Sequence, residues 1–470
     1  MAAERKRLRI GLAAYGTGWD QDAWRLPESN NRGLTDPSVI SDLAITAERG
    51  KLDYLFAGSS LASEPDVLNR VFRWDSAVFA GHAAARTDHV GFLLTYNSSF
   101  EHPFHVARQL ATLDRFSEGR TAINVVFGID RQGGPVENFE GYPLPDQESK
   151  YRRAAEFTEA LYALLHNSWD NDLLLDNKAD GILIRPGSWH PIDYEGEFFR
   201  VRGPLNVPPP VQRHIPNVHV GTSPESLEYG AKYAQARFSP YFGLEAGKKH
   251  YAEHKARVAA AGGDPDAFLI LPGVTFYLGG TVQEARAKYR QILNYQREVE
   301  LPLVLAQSLG ITADRFAADV PLAVALGAEG IDPDRLVALL DNGDVAAEDP
   351  TVNGYPTQPS RQRRHSNVDV VRDVLAALGD DEHLTVRDFF AAMQKRQAGQ
   401  GRYVGDAIGF ADWLEEHLEE EVLDGVQLFP PYHRGPADFF VDHVVPELQR
   451  RGIFRTEYES TRLEDNLGLS

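Results

Sequence analysis

Apolar positions in this chain follow two alternating rhythms. Short apolar runs at Leu8–Tyr15, Leu52–Ala57, Val90–Tyr96, Thr121–Phe127, Val218–Gly221, Phe268–Leu278 and Val426–Phe429 read as strands. Between them lie stretches whose apolar residues recur every three or four positions and predict helices. Val39–Arg49 carries Val39, Ile40, Leu43, Ala44 and Ala47 in that spacing, and Phe104–Phe116 carries Phe104, Ala107, Leu110, Ala111 and Leu113. Trp74–Ala85, Lys150–Leu165, Pro224–Ala236, Thr281–Arg297 and Ala437–Arg451 continue the series. Strand and helix in strict alternation predict a parallel sheet with right-handed crossovers. About eight such units predict an α/β fold closed into a (β/α)₈ TIM barrel with insertions. An open dinucleotide-binding sheet would need GxGxxG after the first strand. Here Gly16-Thr17-Gly18 is followed by Trp19-Asp20-Gln21, so the third glycine is missing and the pair reads as a turn.

Two stretches break the repeat. Segment 167–216 mixes aromatic and β-branched residues with prolines, including Pro208-Pro209-Pro210, and reads as a hairpin-bearing insertion. Segment 300–401 reads as a second, mostly helical insertion whose middle, Asn342–Asn367, has the turn-rich composition of a long loop. With these two insertions the whole chain, 1–470, is expected to be one barrel domain.

Charge and composition narrow the partners. The 48 basic and 68 acidic residues give a net charge of −20, which disfavours nucleic acid and anionic lipid. There is no cysteine, so disulfides, thiolate nucleophiles and thiolate metal sites are excluded. No apolar run of about 20 residues occurs, and the basic start is not followed by a signal-type apolar region. A cytoplasmic protein is expected, assembled as a homodimer or homotetramer.

In a barrel the chemistry gathers at the C-terminal ends of the strands. Those ends hold Tyr15, Phe56-Ala57-Gly58, Thr95-Tyr96-Asn97, the stretch from Asn124 to Gly128, Gly221-Thr222-Ser223 and the region after Arg237. They offer hydroxyls, amides, glycines and aromatics, with no carboxylate pair and no metal-ligand spacing. Such a wall suits a flat apolar ring with a polar rim, a cofactor that carries the hard chemistry itself. The sequence His219-Val220-Gly221-Thr222-Ser223-Pro224 ends a strand and starts a helix with a hydroxyl cap and a proline at the first position. Exposed helix N–H groups beside two hydroxyls can bind phosphate, and simple capping explains the same residues equally well. His102 and His105 at a helix start read as structural, and Arg361–His365 as a solvated basic loop.

Longer motifs then become familiar. The run Phe104-His105-Val106-Ala107-Arg108-Gln109-Leu110-Ala111-Thr112-Leu113-Asp114-Arg115-Phe116-Ser117-Glu118-Gly119-Arg120 resembles a helix of the bacterial-luciferase-like superfamily. Its branch is the one that contains the nitrilotriacetate, long-chain alkane and dibenzothiophene-sulfone monooxygenases. Asn124-Val125-Val126, Asn138-Phe139, Tyr151–Phe157, Ala23-Trp24-Arg25 and the end from Val445 to Leu469 resemble further motifs of that branch. The resemblance implies a two-component, FMN-dependent monooxygenase. Reduced FMN would come from a separate NAD(P)H:flavin reductase and react with O₂ to a flavin peroxide that oxygenates a small organic molecule. It also implies FMN contacts at Thr95 and Asn124, and phosphate contacts at Tyr151, Gly221, Thr222 and Ser223. Two positions depart from the pattern. Gly58 stands where the branch often has Asp, and Gln147 where it often has His; Gln can donate a hydrogen bond but supplies no charge. Tyr15, Trp24 and Asn97 are expected to face the substrate, with 300–401 as a cover that excludes water. The scarcity of charge suggests a neutral, aromatic or heterocyclic substrate. A flavin- or deazaflavin-dependent dehydrogenase and a non-catalytic flavin-binding barrel remain the alternatives.

Overall fold

The computed structural model describes residues 6–63, 72–127, 138–139, 147–241, 243–296, 320–326, 351–352, 355–356, 368–379, 384–394 and 400–469. Eight parallel strands form the barrel: β1 (Arg9–Ala13), β2 (Tyr54–Ala57), β3 (Gly91–Asn97), β4 (Thr121–Val126), β5 (Val218–Val220), β6 (Ala236–Ser239), β7 (Leu269–Leu278) and β8 (Gly425–Phe429). Their order is β4-β3-β2-β1-β8-β7-β6-β5. The remaining seam, β4 against β5, is joined by one parallel bridge, Ile123 to Asn217, and by the Ile123 amide donating to Pro216 O at 2.8 Å. Helices α1 (Pro37–Arg49), α2 (Ser76–Ala84), α3 (Pro103–Phe116), α4 (Gln147–Asn167), α5 (Pro224–Tyr233), α6 (Leu244–Ala260), α7 (Val282–Tyr295) and α8 (Ala407–Glu419) lie between strands.

Successive strand residues point to opposite faces. Leu55, Phe92, Leu94, Ile123, Val125, Val426 and Leu428 pack outward against the helices, in one cluster with Leu43, Ala107, Leu110 and Leu414. Tyr54, Phe56, Leu93, Ala122, Val218, Phe238 and Leu271 face the barrel interior. Burial on both faces is why these strands read as unbroken apolar runs, and each buried Leu, Ile, Val or Phe contributes about 1.5–3 kcal/mol. The helix starts follow the sequence signals. Asp36, His102 and Ser223 cap α1, α3 and α5, each followed by proline. His102 does so through Nδ1, which accepts from the Phe104 amide at 3.3 Å, a structural role as expected.

The sequence pattern misses β6 and α6 and overruns α5. The helix expected over Pro224–Ala236 ends at Tyr233, because Ala234 turns extended and Ala236 already begins β6. Between α4 and β5 the chain forms two antiparallel hairpins, Leu174–Asn177 with Ile182–Ile184 and Tyr194–Glu195 with Arg200–Val201. In the second inserted stretch, helices Val368–Leu378 and Val386–Gln394 pack Val371, Val374 and Phe389 against Tyr289 and Ile292 of α7. A short strand, Gly401–Gly405, adds to the end of β7. Within 342–367 only the antiparallel pair Thr351–Val352 and Tyr355–Pro356 is described; Arg361–His365 lies outside the described residues. The C-terminal helix Leu463–Leu467 closes the bottom of the barrel, with Leu463 and Leu467 in the interior cluster. No helix among the described residues is long and apolar enough to cross a membrane.

Candidate active site

The loop from β5 to α5 is the most specific feature at the C-terminal end. Gly221 sits at φ +140°, and a Cβ there would collide with Ser226 Oγ, so the chain can make this turn only with glycine. Ser223 Oγ accepts from the Ser226 amide at 3.3 Å and caps α5, while Thr222 beside it is exposed. From α4, the Tyr151 hydroxyl lies 2.9 Å from Ser223 Oγ. Phe127 packs against Tyr151 with ring centroids 4.8 Å apart. Four residues singled out in the sequence, Tyr151, Gly221, Thr222 and Ser223, thus come together at one helix N-terminus. Its unsatisfied N–H groups and partial positive charge make it receptive to an anion.

Behind the loop is a buried layer. His219 Nε2 pairs with Ser226 Oγ at 2.8 Å, and burial pulls the His219 ring down to about 3, so it is neutral. Arg237, on β6, is 1% exposed and its Nη2 donates to Gly221 O. Burial lowers the Arg237 guanidinium to about 10, which leaves it charged at neutral pH.

Thr95 and Asn124, at the ends of β3 and β4, touch through Asn124 Nδ2 and Thr95 Oγ1 at 3.3 Å. Asn124 is 2% exposed, and its Oδ1 has no partner among the described residues. Gln147 opens α4, and its side chain lies outside the described residues.

On the β1–β2 side an aromatic group gathers. Tyr15 lies with ring centroids 4.9 Å from Trp19 and 6.4 Å from Phe429, and the Arg73 guanidinium stands 4.2 Å over the Tyr15 ring. A Cβ at Gly58 would meet the Tyr15 hydroxyl at 2.5 Å, so a larger residue there would have to push the Tyr15 ring aside. Ala14, Tyr15, Gly58, Arg73 and Trp74 border a small void of about 20 Å³. Asn97 ends β3, and its Oδ1 accepts from the Ser99 amide at 3.0 Å. Trp24 sits apart in the turn Ala23–Arg25, where the adjacent Ala23 packs into the cluster built on α7.

Several functional candidates lay outside the sequence reading. Trp19, not Trp24, joins Tyr15. Its loop is held by the buried Asp20, which takes the Tyr277 hydroxyl at 2.6 Å and the amides of Asp22 and Ala23 at 2.9 and 3.1 Å. Glu101 returns to the end of β3, where its carboxylate accepts from the Asn97 amide. Burial pushes Glu101 up to about 7, opposed by that hydrogen bond and helped by the nearby negative charge of Asp75. The strand ends are therefore less short of charge than the sequence suggested. The signal available was position: Glu101 follows Asn97 by four residues, just before α3. A larger groove of about 870 Å³ opens at the opposite end, between Lys6, Arg9, Lys248, Lys255 and Asp424. Lys6, Lys248 and Lys255 there are paired with Glu421, Glu420 and Asp424 at 2.6, 2.5 and 3.1 Å.

The family model described as luciferase-like monooxygenase matches residues 17–399 of this barrel. The chain belongs to this family of flavin-dependent monooxygenases. It is 29% identical to N-acetyl-S-(2-succino)cysteine monooxygenase of Bacillus subtilis, over 100% of this chain and 98% of that protein. It is 31% identical to nitrilotriacetate monooxygenase component A of Aminobacter aminovorans, over 99% of this chain and 97% of that one. The solved EDTA monooxygenase of Chelativorans sp. BNC1 shares the fold with a TM-score of 0.74, at 24% identity and 99% coverage of both chains.

Proposed function

We propose that this chain is the oxygenase component of a two-component system, taking reduced FMN from a separate NAD(P)H:flavin reductase to oxygenate a small organic substrate with O₂. The observation that carries the reading is the meeting of Tyr151 and Ser223, 72 residues apart in sequence, at the N-terminus of α5. That geometry fits a phosphate monoester, with Thr222, Ser223 and Tyr151 as its contacts and Gly221 allowing close backbone approach. The orphaned Asn124 Oδ1 is a buried acceptor that a ring N–H can satisfy, and Thr95 stands beside it. By its resemblance to the family's phosphate position, Gln147 is proposed as a further, neutral donor to the phosphate. Bound reduced FMN supplies the two electrons that activate O₂. The chain's own residues orient it, and the ring cluster of Tyr15, Trp19 and Phe429 offers a dry wall beside Gly58 for the substrate, with Asn97 at its edge.

The name of the nitrilotriacetate relative, component A, supports a partner reductase. Purified protein with FMN and NADH is expected not to oxidise NADH. Adding a flavin reductase is expected to give substrate-dependent incorporation of oxygen from O₂. The panel should hold N-acetyl-S-(2-succino)cysteine, nitrilotriacetate and a neutral heterocycle, because Arg73 over Tyr15 adds a cation to a wall otherwise suited to neutral rings. NADH oxidation by the chain alone, or product formed without O₂ uptake, would contradict the proposal.

A further inference from the structure

Arg237 is a buried guanidinium with almost no local partner. It is 1% exposed, and its one hydrogen bond runs from Nη2 to Gly221 O. Its Nε and Nη1 meet no acceptor among the described residues. Among the described residues no carboxylate offsets the charge; the other charged group acting on it is Arg257, of the same sign. The imidazoles near it, His219, His250 and His254, are held neutral, each lowered first by burial and next by Arg237 itself. A buried cation left uncompensated is costly, so its presence calls for an anion within reach.

Its single bond points to where that anion sits. In a trans peptide the C=O and N–H of one unit point in opposite directions. Arg237 holds the carbonyl of the Gly221–Thr222 peptide, so the Thr222 N–H of the same unit is directed away from the guanidinium. Donation to the carbonyl polarises the peptide and strengthens its N–H as a donor. The same unit leads into the Ser223 cap and the first turn of α5, where Tyr151 arrives.

We infer that Arg237 is the cation of the phosphate site, acting from behind through the Gly221–Thr222 peptide, and that it makes the site select a phosphate monoester dianion over an uncharged flavin. This rests on the reading of the β5–α5 loop as a phosphate site. Arg237 is a positioning residue; it need not touch the ligand.

The test is titration calorimetry under nitrogen with reduced FMN and reduced riboflavin, alongside thermal unfolding of the unliganded protein. Arg237→Met is expected to weaken FMN at least about tenfold, roughly 1.4 kcal/mol, and to leave riboflavin within about twofold. It is also expected to raise the unliganded Tm, since an uncompensated charge is removed; a purely structural arginine would lower it. Arg237→Lys is expected to keep most of the preference for FMN. Equal weakening of both flavins, unchanged FMN affinity, or a variant that fails to fold would each overturn the inference. Riboflavin binding to wild type as tightly as FMN would instead remove the phosphate-site reading beneath it. A wild type that prefers FMN, with Arg237→Met preferring it equally, would remove the inference alone.

Discussion

Two buried arginines mark opposite ends of this barrel. Arg120, at the N-terminal end of β4, is 3% exposed and uses all five N–H donors. Nε bonds Ser117 O at 2.6 Å, Nη1 bonds Thr87 Oγ1 and Val90 O at 2.9 and 3.1 Å, and Nη2 bonds Ala84 O and Thr87 O at 3.0 and 2.9 Å. Arg237, the second residue of β6, reaches the C-terminal end of β5 through Gly221 O; it is as deeply buried and makes one hydrogen bond among the described residues. The carboxylates at the bottom are also well served. Asp114 accepts from Thr121, Val211 and Gln212, and Asp53 takes the Arg455 guanidinium and the Ile10 amide at 2.6 Å each. At the top, Asn124 Oδ1 and two Arg237 nitrogens stay open, while at the bottom Arg455 keeps one open nitrogen, Nη1, beside its paired Nη2. Saturated polar groups fix a fold, while open ones keep binding capacity in reserve at a cost in stability. On the proposed function, the bottom of the barrel serves chiefly to hold the molecule together and the top gives up some stability for binding.

The largest expected effect that sharpens this contrast is of pH. Near Arg237, burial holds His219 down to about 3, His250 to about 4 and His254 to about 3. Below an unfolded-state value of about 6.5 the unfolded chain takes up protons that these folded rings refuse, so stability falls as pH drops. Each ring contributes up to roughly 1.4 kcal/mol per pH unit over that window. Unfolding midpoints measured from pH 7 to pH 5 should fall steeply, and His254→Gln should flatten the slope. An unchanged slope would mean these rings are not the acid-sensitive groups.

Breaking the bottom comes next in size. Asp53→Ala leaves Arg455 buried without its carboxylate, and is expected to cost about 3–5 kcal/mol in denaturant unfolding. It should not alter the preference for FMN over riboflavin. Smaller again is the top. Ser223→Ala removes one hydroxyl from the proposed phosphate site and should weaken FMN by about 1–2 kcal/mol. Losing the cap hydroxyl costs the fold about 1 kcal/mol or less at this partly exposed helix start.

The sequence was most readable where periodicity is strong. β3, α3 and β4 lie within a residue or two of their expected spans, because α3 keeps one buried face throughout and β3 and β4 are buried on both faces. β6 and α6 were obscured. β6 has four residues, one of them Arg237, and α6 buries Gly247, Tyr251, His254 and Val258, which make no clean apolar stripe. At the site, capping alone could not separate a structural Ser223 from a phosphate contact, and the meeting with Tyr151 is tertiary. Arg237 was invisible as a site residue, since an arginine in a strand ordinarily reads as solvent-facing and only the packing of β5 and α6 around it reveals otherwise. Trp24 and Trp19 were separated only by the fold, in which the Asp20 clamp sets the loop that carries Trp19 onto Tyr15.

The division of labour between the two ends is tested most directly by measuring, on wild type, Asp53→Ala and Ser223→Ala, both the unfolding free energy and the ratio of FMN to riboflavin affinity. The ratio is expected to fall about 5- to 30-fold in Ser223→Ala, with stability lowered by no more than about 1 kcal/mol. In Asp53→Ala the stability should fall by about 3–5 kcal/mol with the ratio unchanged. A ratio that moves with Asp53, or a Ser223→Ala protein that binds the two flavins as wild type does, would contradict the account.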